Sequence, residues 1–135
     1  MLHAKQQKWA LLPSDQAHTV ARLCSRSSLP KVDGGWQPTM IDVNAMENAL
    51  SEAAYVRGKL AHSTAPANDP HHYYRQYVGV VIAGRKLIYV NGICGKPPSS
   101  WKQAFADICD GGCNWGVLYD PVSGEFSQFG INGIA

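Results

Sequence analysis

Two strand-turn-strand patterns in the second half of the chain constrain its fold more than any other feature. Tyr73–Ala83 and Lys86–Ile93 are rich in Tyr, Val and Ile, and Gly84 between them suits the positive φ of a tight hairpin turn. Trp115–Asp120 and Glu125–Ile131 repeat the pattern around a turn rich in Pro, Ser and Gly. Four strands in two hairpins predict an antiparallel sheet.

An amphipathic pattern before the hairpins predicts a long helix from Thr39 to about Leu60. Thr39 suits the N-cap, and Asp42 lies near the positive end of the helix dipole. Apolar residues then recur at three- and four-residue spacing, which is typical of a helix that packs one face on a sheet. The residues of this stripe are Val43, Met46, Leu50, Ala53 and Leu60.

A second helix is predicted between the two hairpins, where Ser100 and Gln103 form a capping-box pattern and Gly111-Gly112 ends the helix. The predicted fold is a single α+β domain over residues 39–135, with element order α-β-β-α-β-β and the long helix packed on a four-stranded antiparallel sheet. Residues 1–38 carry several turn signals and are predicted to form an irregular or partly helical N-terminal arm.

The composition excludes several classes of partner. The chain of 135 residues is 45% hydrophobic and 16% charged, and its formal net charge is +2. This charge is too small to predict a nucleic-acid partner, and no apolar run reaches the roughly 18 residues of a membrane span. A surface with few charges favours contact with another protein, or with a second copy of the same chain as a homodimer.

Four cysteines bear on stability and compartment: Cys24, Cys94, Cys109 and Cys113. Only the last two are closely spaced, whereas zinc sites usually contain two such pairs, so no metal site is predicted. A disulfide is predicted among Cys94, Cys109 and Cys113, with Cys109 and Cys113 as competing partners for Cys94. It favours the periplasm or the cell exterior, and the cytoplasm is the alternative.

A small cysteine-dependent enzyme is one alternative function. Cys113 or Cys109 would be the nucleophile and His71 or His72 the base, although no spacing in the sequence brings such a pair together. Phosphate loops, dinucleotide fingerprints and similar motifs do not occur, and no cofactor is predicted. A small-ligand carrier with a pocket between helix and sheet is a further alternative.

The leading functional prediction is a non-catalytic protein-binding domain of inhibitor, immunity or envelope-interaction type. It depends on an open sheet face with the Tyr and Arg enrichment of protein-protein hot spots, and on the loop at Gly111-Gly112. The predicted binding residues are Tyr74, Arg75, Tyr77, Tyr89, Asn91, Gly111, Gly112 and Trp115.

Four segments between Tyr73 and Ala135 resemble small uncharacterised bacterial proteins of lipoprotein-like type. The resemblance covers about the last sixty residues and brings no known activity. In outline, a helix on an antiparallel sheet is also similar to cystatin-like inhibitor folds, but the helix between the hairpins departs from their order. The four segments are Tyr73-Tyr74-Arg75-Gln76-Tyr77, Leu87-Ile88-Tyr89-Val90-Asn91, Cys109-Asp110-Gly111-Gly112 and Trp115-Gly116-Val117-Leu118-Tyr119-Asp120.

Overall fold

The structure is a computed structural model that describes residues 7–23, 29–108 and 113–132. In these ranges one mixed sheet is formed by β1 (Trp9–Leu11), β2 (Gly34–Gly35), β3 (Tyr74–Ile82), β4 (Arg85–Ile93), β5 (Trp115–Asp120) and β6 (Glu125–Ile131). The helices are α1 (Ala17–Val20), α2 (Met40–Glu52) and α3 (Ala54–Ala61), with 3₁₀ turns at Ser14–Gln16 and Pro70–His72. In the described ranges, no helix has the length and apolar character needed to cross a membrane.

The sheet has six strands rather than the four predicted. β3, β4, β5 and β6 are antiparallel neighbours, as the two hairpin patterns predict. β1 runs parallel to β3, with Trp9 opposite Arg75, and β2 is antiparallel to the same strand. The prediction of a purely antiparallel, four-stranded sheet is therefore wrong, and the arm predicted as irregular or partly helical supplies two strands as well as α1. The sequence gives little signal for the extra strands, because one has three residues and the other is Gly34-Gly35.

The predicted long helix from Thr39 to Leu60 is also wrong, because Ala53 is extended (φ −70°, ψ 103°) and separates α2 from α3. The capping box is present: the Thr39 hydroxyl accepts from the Asp42 backbone N–H, and the Asp42 carboxylate accepts from that of Thr39. With 3.6 residues per turn, a continuous helix would point the apolar residues of α3 about 90° away from those of α2. The interruption lets both sets face the sheet, and the buried residues are Val43, Met46, Leu50, Val56 and Leu60.

Both faces of the sheet are covered. Beneath α2 and α3, the buried sheet residues are Tyr77, Ile88, Val90, Trp115, Val117 and Tyr119. The opposite face is covered by the segment around α1 and by residues 101–105. Its buried sheet residues are Val78, Val80, Ile82, Leu87, Tyr89 and Leu118. The face predicted to be open is therefore the inside of a second packed layer.

Residues 99–108 form turns and irregular backbone, so the predicted helix between the hairpins is wrong over this range. Two buried amide side chains hold this segment instead. Gln76 donates to the carbonyls of Trp101 and Ala104 at 2.7 and 2.8 Å, and Asn91 donates to that of Ala106 at 2.9 Å. These bonds satisfy carbonyls that a helix would satisfy internally, and they fasten the segment to the sheet.

Candidate functional site

A buried charge cluster joins α2 to β3 and contains two of the predicted binding residues. Arg75 and Tyr77 lie two residues apart and so share one face of β3. Glu47 of α2 lies over them: the Arg75 guanidinium donates to both of its carboxylate oxygens, at 3.2 and 3.3 Å, and the Tyr77 hydroxyl donates to one of them. Arg75 Nε also donates to the Tyr77 hydroxyl at 2.9 Å. We call these three residues the Glu47 cluster.

The Glu47 cluster is deeply buried and electrostatically balanced. The Arg75 side chain is 3% exposed and that of Glu47 is 17% exposed. Burial lowers the pKa of the Arg75 guanidinium from its usual value, and the neighbouring Glu47 carboxylate opposes that lowering. Because a buried charge is costly without a hydrogen-bonded partner, the pair requires α2 to stay in register over β3.

His71 lies at the border of the Glu47 cluster. Its Nε2 is 3.6 Å from Glu47 Oε2, and its side chain is 33% exposed. Its backbone N–H donates to the Asp69 carboxylate at 3.0 Å, which in turn lies 3.6 Å from the Arg57 guanidinium. A histidine beside a carboxylate supplies the base and the group that orients it. Nucleophilic catalysis also requires a nucleophile next to the histidine.

Two of the cysteines predicted as nucleophile or cross-link, Cys94 and Cys113, lie in the described residues. Cys94 and Cys113 form a disulfide, with Cα atoms 5.6 Å apart, so the prediction of a disulfide is confirmed with Cys113 as the partner. Cys113 has no thiolate in this form and cannot attack a substrate. Cys109 and Cys24 lie outside the described residues. His72 is exposed and has its ring edge-on to Tyr73, 5.4 Å away.

Most of the predicted binding residues are packed inside the protein. Tyr77, Tyr89 and Trp115 are fully buried, and Arg75 and Asn91 are nearly so. Tyr74 is half-buried, and Gly111 and Gly112 lie outside the described residues. The enrichment in Tyr and Arg thus reflects a core of aromatic rings and one buried ion pair.

Sequence reasoning missed Glu47, although a signal for it exists. At 3.6 residues per turn, Glu47 lies about 40° from Val43 on the helix, which places it at the edge of the apolar stripe. An acid at that position would need a buried partner, and Arg75 on the strand below is the matching base. Trp9 was also missed: its ring stacks on that of Tyr77 at 5.6 Å and closes the cluster from the β1 side.

Among the described residues, the three most exposed large apolar side chains lie at the end of the sheet that carries the two hairpin turns, and a fourth, Tyr55, is 39% exposed on α3. Met40 and Ile41, at the start of α2, are 51% and 82% exposed, and Val122 in the β5–β6 turn is 96% exposed. Val43 near the start of α2 and Tyr119 near the end of β5 belong to the same core cluster, so these two ends lie close together. Burial raises the pKa of Tyr119, and the carboxylates of Asp42 and Asp120 raise it further. We call Met40, Ile41 and Val122 the turn-end surface.

Charged groups border the turn-end surface. A shallow cleft of about 380 Å³ is lined by Val122, Arg85, Lys86 and Asp120 together with Gly84. Burial acts to raise the pKa of Asp120, but the Val122 backbone N–H and Arg85 outweigh it and hold that pKa below its usual value. Arg85 is paired with Asp120, whereas Lys86 is exposed, with its ammonium 5.8 Å above the Trp36 ring.

Comparisons of the chain with protein-family models, with curated proteins and with solved structures found no match.

Proposed function

We propose that this chain is a non-catalytic bacterial protein-binding domain of inhibitor, immunity or envelope-interaction type, and that it contacts its partner through the turn-end surface. The observation that carries the proposal is the exposure of Met40, Ile41 and Val122. Large apolar side chains grouped at one end of a small domain, with polar residues around them, are typical of protein-protein contact sites. The two covered sheet faces support this choice, because they leave little aromatic surface for a partner.

The charges around the turn-end surface suggest the character of the partner. Arg85 is paired with Asp120, so its charge is largely balanced within the chain. Lys86 adds a positive charge that forms no ion pair with the described carboxylates. A partner with an apolar depression and carboxylates at its rim complements this arrangement, and such charges mainly raise the rate of association.

The proposed compartment is the periplasm or the cell exterior. The Cys94–Cys113 disulfide supports it, because such bonds persist in oxidising compartments. In this setting the partner would be a secreted or envelope protein. The turn-end surface could also join two copies of this chain in a homodimer. The test must therefore distinguish self-association from binding of a different protein.

The proposal is tested by quantitative affinity capture from the cells that encode the chain, with the wild type and two variants, Ile41→Asp and Val122→Asp. A carboxylate at either position would have to be desolvated in an apolar contact, so we expect retention of the partner to fall by about tenfold or more. Sedimentation of the purified chain identifies self-association separately.

Ala61→Asp is the matched control, because Ala61 is an exposed apolar residue at the end of α3, away from the turn-end surface. It should retain the partner as the wild type does, and all three variants should melt near the wild-type temperature. Proteins captured equally by all four forms would count as background. If nothing depends on Ile41 or Val122, the proposed surface is rejected.

A further inference from the structure

A separate cleft lies at the other end of the sheet, where β3 begins and β4 ends. It has a volume of about 200 Å³ and adjoins the Cys94–Cys113 disulfide. We call it the Lys8 cleft. Its lining residues are Lys8, Pro66, His72, Tyr73, Tyr74, Ile93, Cys94 and Gly95. None of these carries a carboxylate, and this sets the electrostatic character of the cleft.

Lys8 supplies a fixed positive charge to the cleft. Its carbonyl accepts from the backbone N–H of Arg75 at 2.8 Å, which extends the pairing of β1 with β3 by one residue. Its ammonium donates to the carbonyl of His72 at 3.4 Å and lies 5.5 Å from the centre of the Tyr74 ring. An ammonium has three N–H donors, so donors remain for a further acceptor. Lys8 forms no ion pair with any carboxylate in the described part of the chain.

The other walls of the Lys8 cleft are apolar and rigid. Ile93 is 1% exposed, and the Tyr74 ring is held edge-on against Trp101, with ring centres 5.2 Å apart. The Tyr73 hydroxyl is already engaged, since it donates to the Ala67 carbonyl at 2.6 Å and accepts from the Ala67 N–H at 2.9 Å. Tyr74 and Pro66, which are less buried than Ile93 and Tyr73, therefore offer the packing surface, and Lys8 offers the charge.

We infer that the Lys8 cleft binds small monocarboxylates that carry an apolar body. The carboxylate pairs with the Lys8 ammonium through a charge-assisted hydrogen bond, and the body packs against the Tyr74 ring and Pro66, above the buried Ile93. A single ammonium matches a single negative charge, and it repels cations. The volume is below the roughly 300 Å³ at which pockets for drug-sized ligands begin, so the ligand is about the size of one aromatic acid or one amino-acid residue.

This inference goes beyond the proposed function, because the Lys8 cleft and the turn-end surface lie at opposite ends of the sheet. Two sources supply the ligand chemistry: a free organic acid, and the C-terminal residue of a peptide or protein. The two share the carboxylate and the apolar body, and differ in the amide group that precedes the terminal residue.

The test is a titration followed by two-dimensional ¹H–¹⁵N NMR with four probes. Benzoate represents a free acid, N-acetyl-leucine represents a peptide C-terminus, and benzamide and N-acetyl-leucinamide lack the carboxylate. We expect saturable shifts at the backbone amides of Tyr74, Ile93 and Gly95 with the two acids. The two amides should bind at least about tenfold more weakly than the corresponding acids. The tighter of the two acids identifies the source.

Lys8→Met is expected to weaken binding of the better acid by about tenfold, while Lys8→Arg keeps the charge and most of the affinity. Lys59→Met is the matched control, because Lys59 also lies over a tyrosine ring, 5.7 Å from that of Tyr55, but on α3. It should bind as the wild type does, and unchanged spectra outside the cleft show that each variant is folded.

Three results would overturn the inference: no saturable shift with either acid, equal binding of acid and amide, or an affinity unaffected by Lys8→Met. The turn-end variant Ile41→Asp should bind the acids normally. If Ile41→Asp still captures the partner, the proposed function fails. If the wild type binds no acid through Lys8, the inference on the Lys8 cleft fails, and each result can occur without the other.

Discussion

At the scale of single residues, the Glu47 cluster is the most demanding arrangement in the molecule. It places a guanidinium that is 3% exposed beneath a helix, where the Glu47 carboxylate is its ion-pair partner and Asp69 contributes from a greater distance. The Tyr77 hydroxyl donates to Glu47 and accepts from Arg75, so the three groups form a closed set of hydrogen bonds. Such a set is stable when complete and costly when one member is missing.

Glu47→Gln should therefore lower the free energy of unfolding by about 3 kcal/mol, because it removes the ion-pair partner of the buried Arg75 guanidinium. Urea unfolding followed by circular dichroism measures this loss. The matched control is Glu52→Gln, the same change at an exposed position of the same helix, for which a change within about 0.5 kcal/mol is expected.

A double variant, Glu47→Gln with Arg75→Met, should recover part of the stability lost in Glu47→Gln, since no unpaired charge is then buried. Equal losses of unfolding free energy in Glu47→Gln and Glu52→Gln would show that groups other than Glu47 compensate the buried charge of Arg75.

At the scale of elements, the pairing of β4 with β5 depends on a close approach between a glycine and an indole. Gly92 lies opposite Trp115 in the sheet, and a Cβ at Gly92 would overlap the Trp115 ring. The same ring contacts Phe129 and Tyr73, with centre distances of 5.9 and 5.6 Å. Trp115 is fully buried, so the ring has little room to move away.

Gly92→Ala should therefore destabilise the protein by about 2 kcal/mol through overpacking. Differential scanning calorimetry measures the shift in melting temperature, and the near-ultraviolet circular dichroism of the aromatic core, to which Trp115 contributes as one of four tryptophans, reports the change in packing. Gly34→Ala serves as control, because a Cβ there meets nothing within 4 Å and β2 is extended. Equal melting temperatures for Gly92→Ala and Gly34→Ala would contradict the packing described for Trp115.

At the scale of the whole molecule, the Cys94–Cys113 disulfide links the end of β4 to the start of β5. Cys94 follows β4 and Cys113 precedes β5, with a sequence separation of 19 residues. The bond therefore closes a loop between two strands that are already neighbours in the sheet. Closing this loop restricts the unfolded chain, and it holds the wall of the Lys8 cleft that Cys94 forms.

Replacing both cysteines, as Cys94→Ala with Cys113→Ala, should lower the free energy of unfolding by about 3 kcal/mol, the value expected from chain entropy for a loop of this length. Urea unfolding without reductant compares the double variant with the wild type. Identical midpoints would mean that the bond contributes little to stability. A change in the slope with denaturant would point to a different unfolded state.

The sequence by itself determined the local elements of this protein. The four long strands and their hairpin turns were predicted to within about two residues, because alternation and turn chemistry are local properties. The Thr39 cap was predicted for the same reason. A disulfide that includes Cys94 was predicted as well, although its partner required the structure.

Only the tertiary structure decided how these elements are layered and which residues reach solvent. β1, β2 and the segment 99–108 take their conformation from groups far along the chain, namely the edge of β3 and the side chains of Gln76 and Asn91. The interruption at Ala53 exists because two apolar stripes must meet one sheet. The tyrosines were predicted to form a binding surface because strand alternation shows which residues share a face of the sheet. Alternation does not show whether another layer packs on that face, and burial depends on that layer. That packing is non-local, so it moved the candidate contacts from the sheet to Met40, Ile41 and Val122.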